Sequence, residues 1–313
     1  AAKNDPGLVT RLHRHMADVG LDRQSFCLAI GGGAALDLIG FAAATCHRGV
    51  RIVRLPTTVL GQNDSGIGVK NGVNAFGLKN FVGSFAVPFA VINDFAFLGT
   101  LSRRDRIAGI AEAVKVALIR DARFFDWLCA QAHALSALEP SATAQMIRRC
   151  ARLHVEHIAG GGDPFELGSA RPLDFGHWAA HKLESLTGHR LRHGEAVAIG
   201  IALDSLYSVE AGLLGREVGE RIVRLLVELG FRLYDPALEL RDSAGELAVL
   251  GGLREFREHL GGELTISLLR AAGASLNVHD MDAALVSRCI EGLSARFRSH
   301  ARARAEQSFP DAD

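Results

Sequence analysis

Residues 25–58 read SFCLAIGGGAALDLIGFAAATCHRGVRIVRLPTT. An apolar run over 25–30 stops at Gly31-Gly32-Gly33, an apolar helical pattern covers 34–46, and a second strand pattern over 50–55 is closed by Pro56. Strand, glycine turn, helix, strand is the order of a parallel βαβ unit. Glycines at such a turn let backbone approach a pyrophosphate, and the helix N-terminus favours anions. Asp37 stands one turn into that helix. The run lacks the spacing G-x-G-x-x-G, so a plain structural turn reads the same way.

Upstream, Leu8, Leu12 and Met16 predict a helix over 7–19. Downstream, a third strand is expected over 89–92, ending at Asn93-Asp94. Between them a polar, glycine-rich passage over 55–74 follows a strand end, where α/β sheets bind ligands. Asp64 and Lys70 lie in it, with Lys79 and Asn80 beside it. A lysine pair can hold phosphate and a carboxylate can orient a hydroxyl; the plain alternative is a solvated loop. From Ser102 onward helical patterns take over, at 105–119, 122–135, 141–159, 175–187, 194–212 and 215–229, and strand signals are weak. Two domains are expected: an α/β part over 1–101 and a helical part over 102–313. The α/β part opens in a loop and helix without a strand of its own, so an N-terminal truncation is expected.

The chain has 313 residues, 35 Lys+Arg against 35 Asp+Glu, and 48% hydrophobic residues, a globular composition. Zero net charge argues against nucleic-acid binding. No apolar run is long enough to span a bilayer, and the N-terminus does not read as a signal peptide. Cys27, Cys46, Cys129, Cys150 and Cys289 are scattered and odd in number, as expected of reduced thiols in a cytoplasmic protein. Only five lysines, Lys3, Lys70, Lys79, Lys115 and Lys182, stand against thirty arginines. Where this sequence keeps Lys, a compact ammonium has a reason to be there.

Glu112 and Lys115 are i, i+3 on one helix among apolar neighbours, so both need partners; an internal ion pair is the plain reading. His177 and His181 are i, i+4 on one helix face, and His193 opens the next helix. Two imidazoles with one carboxylate form a divalent-metal set that leaves positions open for substrate oxygens, and Glu112 is the obvious carboxylate. Histidines without a shared ligand are the alternative.

The motifs GGGxxxDxxGFxA at 31–43, RGV…PTT at 48–58, QNDSGIGVKNGVN at 62–74, KNFVG at 79–83, GIAEAVK at 109–115 and FGHxxxHKLE…HGEAVAIG at 175–200 run over nearly the whole chain. Together they resemble the dehydroquinate synthase-like sugar phosphate cyclases. The resemblance implies a Rossmann-like, NAD-binding α/β domain followed by an all-α metal-binding domain, in a homodimer, similar in layout to the iron-type and glycerol dehydrogenases. It implies Glu112, His177 and His193 as ligands of Zn2+ or Co2+, and Lys115, His181, Asp64 and Lys70 as catalytic residues. Substrate contacts would come from Lys79, Asn80, Asp174 and Arg171, with Arg48 reaching into the neighbouring subunit's site. Cofactor contacts would come from Gly32, Gly33, Asp37, Thr57, Thr58, Thr100 and Lys3. The implied chemistry is a cycle. NAD+ oxidises a secondary hydroxyl to a ketone, phosphate leaves by β-elimination, NADH returns the hydride, and the opened sugar closes to a carbocycle by an intramolecular aldol step.

The chain departs from the family pattern RxxLNxGHxxGH. Its matching stretch is SARPLD at 169–174, so the arginine is displaced by one and the asparagine is Asp174. A lysine expected upstream of Glu166 is Glu156, and the family's C-terminal substrate lysine is missing, with Arg254 or Arg257 as nearest cations. Fewer cations and more acids disfavour a substrate that carries a carboxylate as well as a phosphate. The readings are therefore a 3-dehydroquinate synthase-like cyclase, a cyclase of sedoheptulose 7-phosphate or a related sugar phosphate, a polyol dehydrogenase, or a homologue without turnover.

Overall fold

A computed structural model describes residues 2–76, 78–160, 172–260 and 262–307. In chain order the elements are α1 (Gly7–Asp18), β1 (Phe26–Gly31), α2 (Gly33–Thr45), β2 (Arg51–Pro56), β3 (Lys70–Ala75), β4 (Leu78–Phe85), β5 (Ala90–Val91), α3 (Arg103–Ala108) and α4 (Ile110–Arg120). Then come α5 (Ala122–Ala130), α6 (Ala132–Ser136), α7 (Pro140–Gly160), α8 (His177–Leu186), α9 (His193–Glu210), α10 (Arg216–Glu228), α11 (Gly251–Leu260), β6 (Ile266–Ala271), β7 (Ala274–Val278) and α12 (Ala283–Gln307). The chain divides into two units, Ala1–Ala113 with Pro140–Leu167 and Val114–Glu139 with Gly168–Asp313. The division runs through the unbroken helix α4, most of which belongs to the second unit.

The first unit is built on the expected βαβ grammar. Strands β1, β2 and β5 are parallel in that spatial order, with Phe26 opposite Arg51 and Gly31 opposite Pro56. Helix α2 lays Leu36 and Ala43 on Ala29 and Ile52 of the sheet, and packs Leu38 and Ala42 with Val9 and Met16 of α1. On the other side of β1, the alternate residues Phe26, Leu28 and Ile30 are 49%, 57% and 50% exposed. The third strand is assigned only at Ala90–Val91, although the Phe89 and Ile92 N–H groups flanking it also donate to the Ile52 and Arg54 carbonyls of β2 at 2.8 Å.

The polar passage over 55–74 runs into the first strand of an antiparallel ribbon, β3–β4. Its glycines and asparagines hide a strand signal because they serve the pairing. A Cβ at Gly72 would lie 2.8 Å from the Val82 carbonyl oxygen, and one at Gly83 would lie 2.4 Å from that of Asn71. Asn71 is buried because Arg54, itself fully buried, donates to its Oδ1. The helix expected over 105–119 is two helices, broken at Gly109. A side chain there would strike Val59 Cβ at 2.5 Å, and the Asn63 amide Nδ2 donates to the Gly109 carbonyl at 2.8 Å.

The second unit is helical but not all-α as expected. The hairpin β6–β7 turns at Gly273 with φ 78°, where a Cβ would lie 2.4 Å from the Ala122 nitrogen. Ile266 through Leu269 are all buried, so the strand carries no alternation to betray it. The expected helix over 122–135 is split around Gln131. Among the described residues no helix is long and apolar enough to cross a membrane.

Candidate active site

Gly176 opens the site at φ 76°, a conformation that suits glycine, and sets the chain direction into α8. His177, the first residue of α8, is 7% exposed, and its Nδ1 lies 3.1 Å from the Phe175 carbonyl oxygen. His193, the first residue of α9, has Nδ1 3.0 Å from Glu184 Oε2, and Glu184 is buried. A carbonyl and a carboxylate only accept, so both Nδ1 atoms carry a proton, and in the neutral imidazole it is Nε2 that offers a lone pair. The Glu195 carboxylate, 2.9 Å from the Arg192 N–H, fixes the turn that presents His193.

Glu112 is fully buried in the first turn of α4, and Lys115 on the same helix is 3% exposed. One ligand atom each from Glu112, His177 and His193 lies within 4.8 Å of the others. This is the trio expected from the sequence. A second group, His181, Glu184 and His193, meets the same limit. The His181 ring is stacked on that of His193, with centroids 5.9 Å apart, and stands edge-on to His177 at 5.3 Å.

In the first unit, several expected residues meet around the glycine turn. Lys3 Nζ donates to Asp37 Oδ2 at 2.8 Å and to Asn80 Oδ1 at 2.7 Å, joining expected cofactor and substrate residues. A Cβ at Gly32 would lie 3.0 Å from Thr58 Cγ2, and one at Gly33 2.6 Å from Ser65 Oγ. The Thr57 N–H is 2.9 Å from the Gly31 carbonyl, and Thr58 Oγ1 accepts from the Gly61 N–H at 3.0 Å. Asp64, on the single π turn Gly61–Ser65, has Oδ1 2.9 Å from Nδ1 of buried His154 on α7.

The remaining expected residues have separate settings. Lys70 begins β3 opposite Phe85, whereas Lys79 lies near the turn of the ribbon, so along the strands they are separated by roughly 13 Å. Thr100 is exposed, with its hydroxyl on the Phe97 carbonyl at 2.7 Å. Arg48 is exposed at φ 66°. Asp174 is part-buried, and its buried Oδ2 has no hydrogen-bond partner among the described residues. Arg171 lies outside the described residues.

Sequence reasoning gave no role to His154, Glu184 or Asp204. Glu184 lies one turn beyond His181, and Asp204 is a lone carboxylate in the apolar run AVAIGIALDSL, a pattern that marks a buried acid needing donors. Burial pushes the Asp204 carboxyl up to about 7, against hydrogen bonds from the Trp178 indole and the Gly176 N–H that pull it down.

A parallel-stranded α/β unit with a glycine turn between strand and helix, a helical unit, and a carboxylate with two imidazoles within reach of one ion define the class: a two-unit enzyme fold that carries a metal-type donor set. The domain families described as 3-dehydroquinate synthase N-terminal and C-terminal match residues 2–108 and 109–244. The 3-dehydroquinate synthase of Ruegeria pomeroyi is 37% identical over 286 residues, 90% of this chain and 75% of that protein. The 2-epi-5-epi-valiolone synthase of Streptomyces glaucescens is 41% identical over 219 residues, 70% of this chain and 56% of that protein. The solved 2-epi-5-epi-valiolone synthase of Streptomyces hygroscopicus, with NAD+ and Zn2+ bound, superposes with TM-score 0.86 at 30% identity, covering 94% of this chain and 80% of that one. The chain belongs to the 3-dehydroquinate synthase family.

Proposed function

We propose that the chain is an NAD- and divalent-metal-dependent sugar phosphate cyclase, a carbon–oxygen lyase that eliminates phosphate. The observation that carries this reading is the convergence of Glu112, His177 and His193, each imidazole with its Nδ1 committed and its Nε2 available. That donor set suits Zn2+ or Co2+, and the buried Glu184 carboxylate behind His193 raises the basicity of its ligand nitrogen. When bound, the metal polarises substrate oxygens and the nicotinamide carries the hydride out and back.

The chain's own residues do the rest. Lys115 places a buried ammonium one turn from Glu112 on α4, where it favours negative charge developing on a substrate oxygen. His181, on the same α8 face as His177, exchanges a proton with the sugar, and Asp64, oriented by His154, accepts from a substrate hydroxyl. Lys70, Lys79, Asn80 and, from a neighbouring copy in a homodimer, Arg48 supply donors for phosphate. The turn Gly31–Gly33 with Asp37, Thr57, Thr58 and Thr100 is assigned to NAD in a Rossmann-like manner. Lys3 holds Asp37 in place. We assign the α/β domain to 1–101, the helical domain to 102–313, and the working protein to the cytoplasm.

For the substrate, Asp174 favours a sugar phosphate without a carboxylate. Its buried Oδ2 calls for a hydroxyl donor and repels a second anion. Sedoheptulose 7-phosphate fits that demand better than the shikimate-pathway heptulosonate phosphate. The test is inorganic phosphate release from each, with NAD+ and either Zn2+ or Co2+. Release from either supports a cyclase. Release from neither, with NADH accumulating on a simple polyol, overturns it in favour of a dehydrogenase.

A further inference from the structure

The buried acid Asp204 has no part in the chemistry assigned above, yet its hydrogen bonds hold the turn that presents His177. Asp204 is fully buried on α9, eleven residues beyond His193 on the same helix. Its Oδ2 accepts from the Gly176 N–H at 3.0 Å and its Oδ1 accepts from Trp178 Nε1 at 2.8 Å. Gly176 and Trp178 are the residues on either side of His177. One carboxylate therefore grips the backbone before a ligand and the side chain after it.

The neighbouring turns of α9 reinforce the grip. One turn earlier is Gly200, where a Cβ would lie only 1.9 Å from the Gly176 carbonyl oxygen, so the two backbones meet directly. One turn later, the Ser208 hydroxyl donates to the Asp204 carbonyl at 2.6 Å and accepts from the Leu269 N–H of β6 at 3.3 Å. A stripe of Gly200, Asp204 and Ser208 thus anchors the start of α8 on the helix that also carries His193.

We infer that Asp204 is a positioning residue for the metal centre, fixing the separation of His177 from His193 by holding Gly176 and Trp178 against α9. The inference rests on the metal-binding reading proposed above. A hydrophobic residue of similar size would fill the space but leave two buried N–H donors without an acceptor. Asparagine is no substitute either, since it has one acceptor and turns an amide N–H2 toward the second donor.

The experiment is a Co2+ titration of the chelator-stripped full chain, read by the visible d–d absorption of the bound ion and by the dissociation constant. Thermal unfolding in EDTA runs alongside. Asp204→Asn is expected to bind Co2+ at least about tenfold more weakly, the lower end of what outer-shell changes cost, and to shift the d–d bands while still unfolding cooperatively in EDTA. Trp178→Phe removes one donor and keeps an aromatic ring, and is expected to weaken Co2+ binding about threefold. It decides the matter if Asp204→Asn does not fold. Parent-like affinity and parent-like bands in either folded variant overturn the inference, since a merely structural Asp204 would change unfolding alone. Failure of the parent chain itself to bind Co2+ overturns the metal-binding reading and, with it, this inference; parent binding with an unaltered variant overturns only this inference.

Discussion

Gly200→Ala tests whether the crossing of α8 and α9 sets the metal centre. The added Cβ would lie 1.9 Å from the Gly176 carbonyl oxygen, 2.8 Å from its carbon and 3.1 Å from its Cα. All three are backbone atoms, so no side chain can swing away. Carbon and oxygen come to rest at roughly 3.3 Å, so the two segments must part by about 1.4 Å. Ligand distances around a bound ion tolerate only about 0.2 Å. The turn that moves is the one leading into His177, so the shift is several times that tolerance. We expect Zn2+ or Co2+ affinity to fall at least about tenfold. Overpacking of this kind costs about 1–3 kcal/mol, and the EDTA-treated variant should melt several degrees below the parent. Isothermal titration with Zn2+ and scanning calorimetry with and without EDTA read the two effects separately. An unfolding midpoint within a degree of the parent, together with undiminished metal affinity, refutes the argument.

Other predictions concern single groups. Glu112→Ala and His193→Ala should each lose metal on dialysis, measured by elemental analysis, and full metal content in both would refute the assignment. Lys115→Ala should keep its metal but lose turnover in the phosphate-release assay; an unchanged rate refutes its role. Asp174→Asn should move the ratio of kcat/KM between sedoheptulose 7-phosphate and the heptulosonate phosphate toward the latter, and an unmoved ratio refutes the part given to Asp174. Asp204 gives a pH dependence. Its carboxyl is raised from 3.8 to about 7 in the folded chain, so the fold binds that proton more tightly than the unfolded chain does. Its contribution to stability is fully present below pH 4 and is lost as pH rises from about 4 to 7, by up to about 4 kcal/mol. Denaturant unfolding in EDTA across that range should fall more steeply with pH for the parent than for Asp204→Asn; equal slopes refute it.

The βαβ unit was legible because an apolar run, three glycines and a proline punctuate it within one short stretch. The candidate trio was legible because Glu112, His177 and His193 fall in dense motifs, although only folding brings their ligand atoms within 4.8 Å of one another. The ribbon β3–β4 was not legible. Its glycines are required by close backbone contact and its Asn71 by Arg54, so propensity points to a loop where pairing wins. The hairpin β6–β7 was hidden for another reason: Ile266 through Leu269 are all buried, so no alternation along the chain marks the strand. The supporting acids Glu184 and Asp204 belong to tertiary contacts, and spacing along the chain carries little of that information.

The Arg54 guanidinium has a consequence for how a ligand is received. It donates to the backbone carbonyls of Gly66 at 3.1 Å and Gly68 at 2.6 Å, clamping the segment that runs from Asp64 to Lys70 onto β2 from within. A segment tied in this way surrenders little conformational freedom when a guest arrives. With Asp64 and Lys70 in the substrate roles proposed above, their recognition would be preorganised: affinity would come from the contacts made, with little offset from ordering the chain.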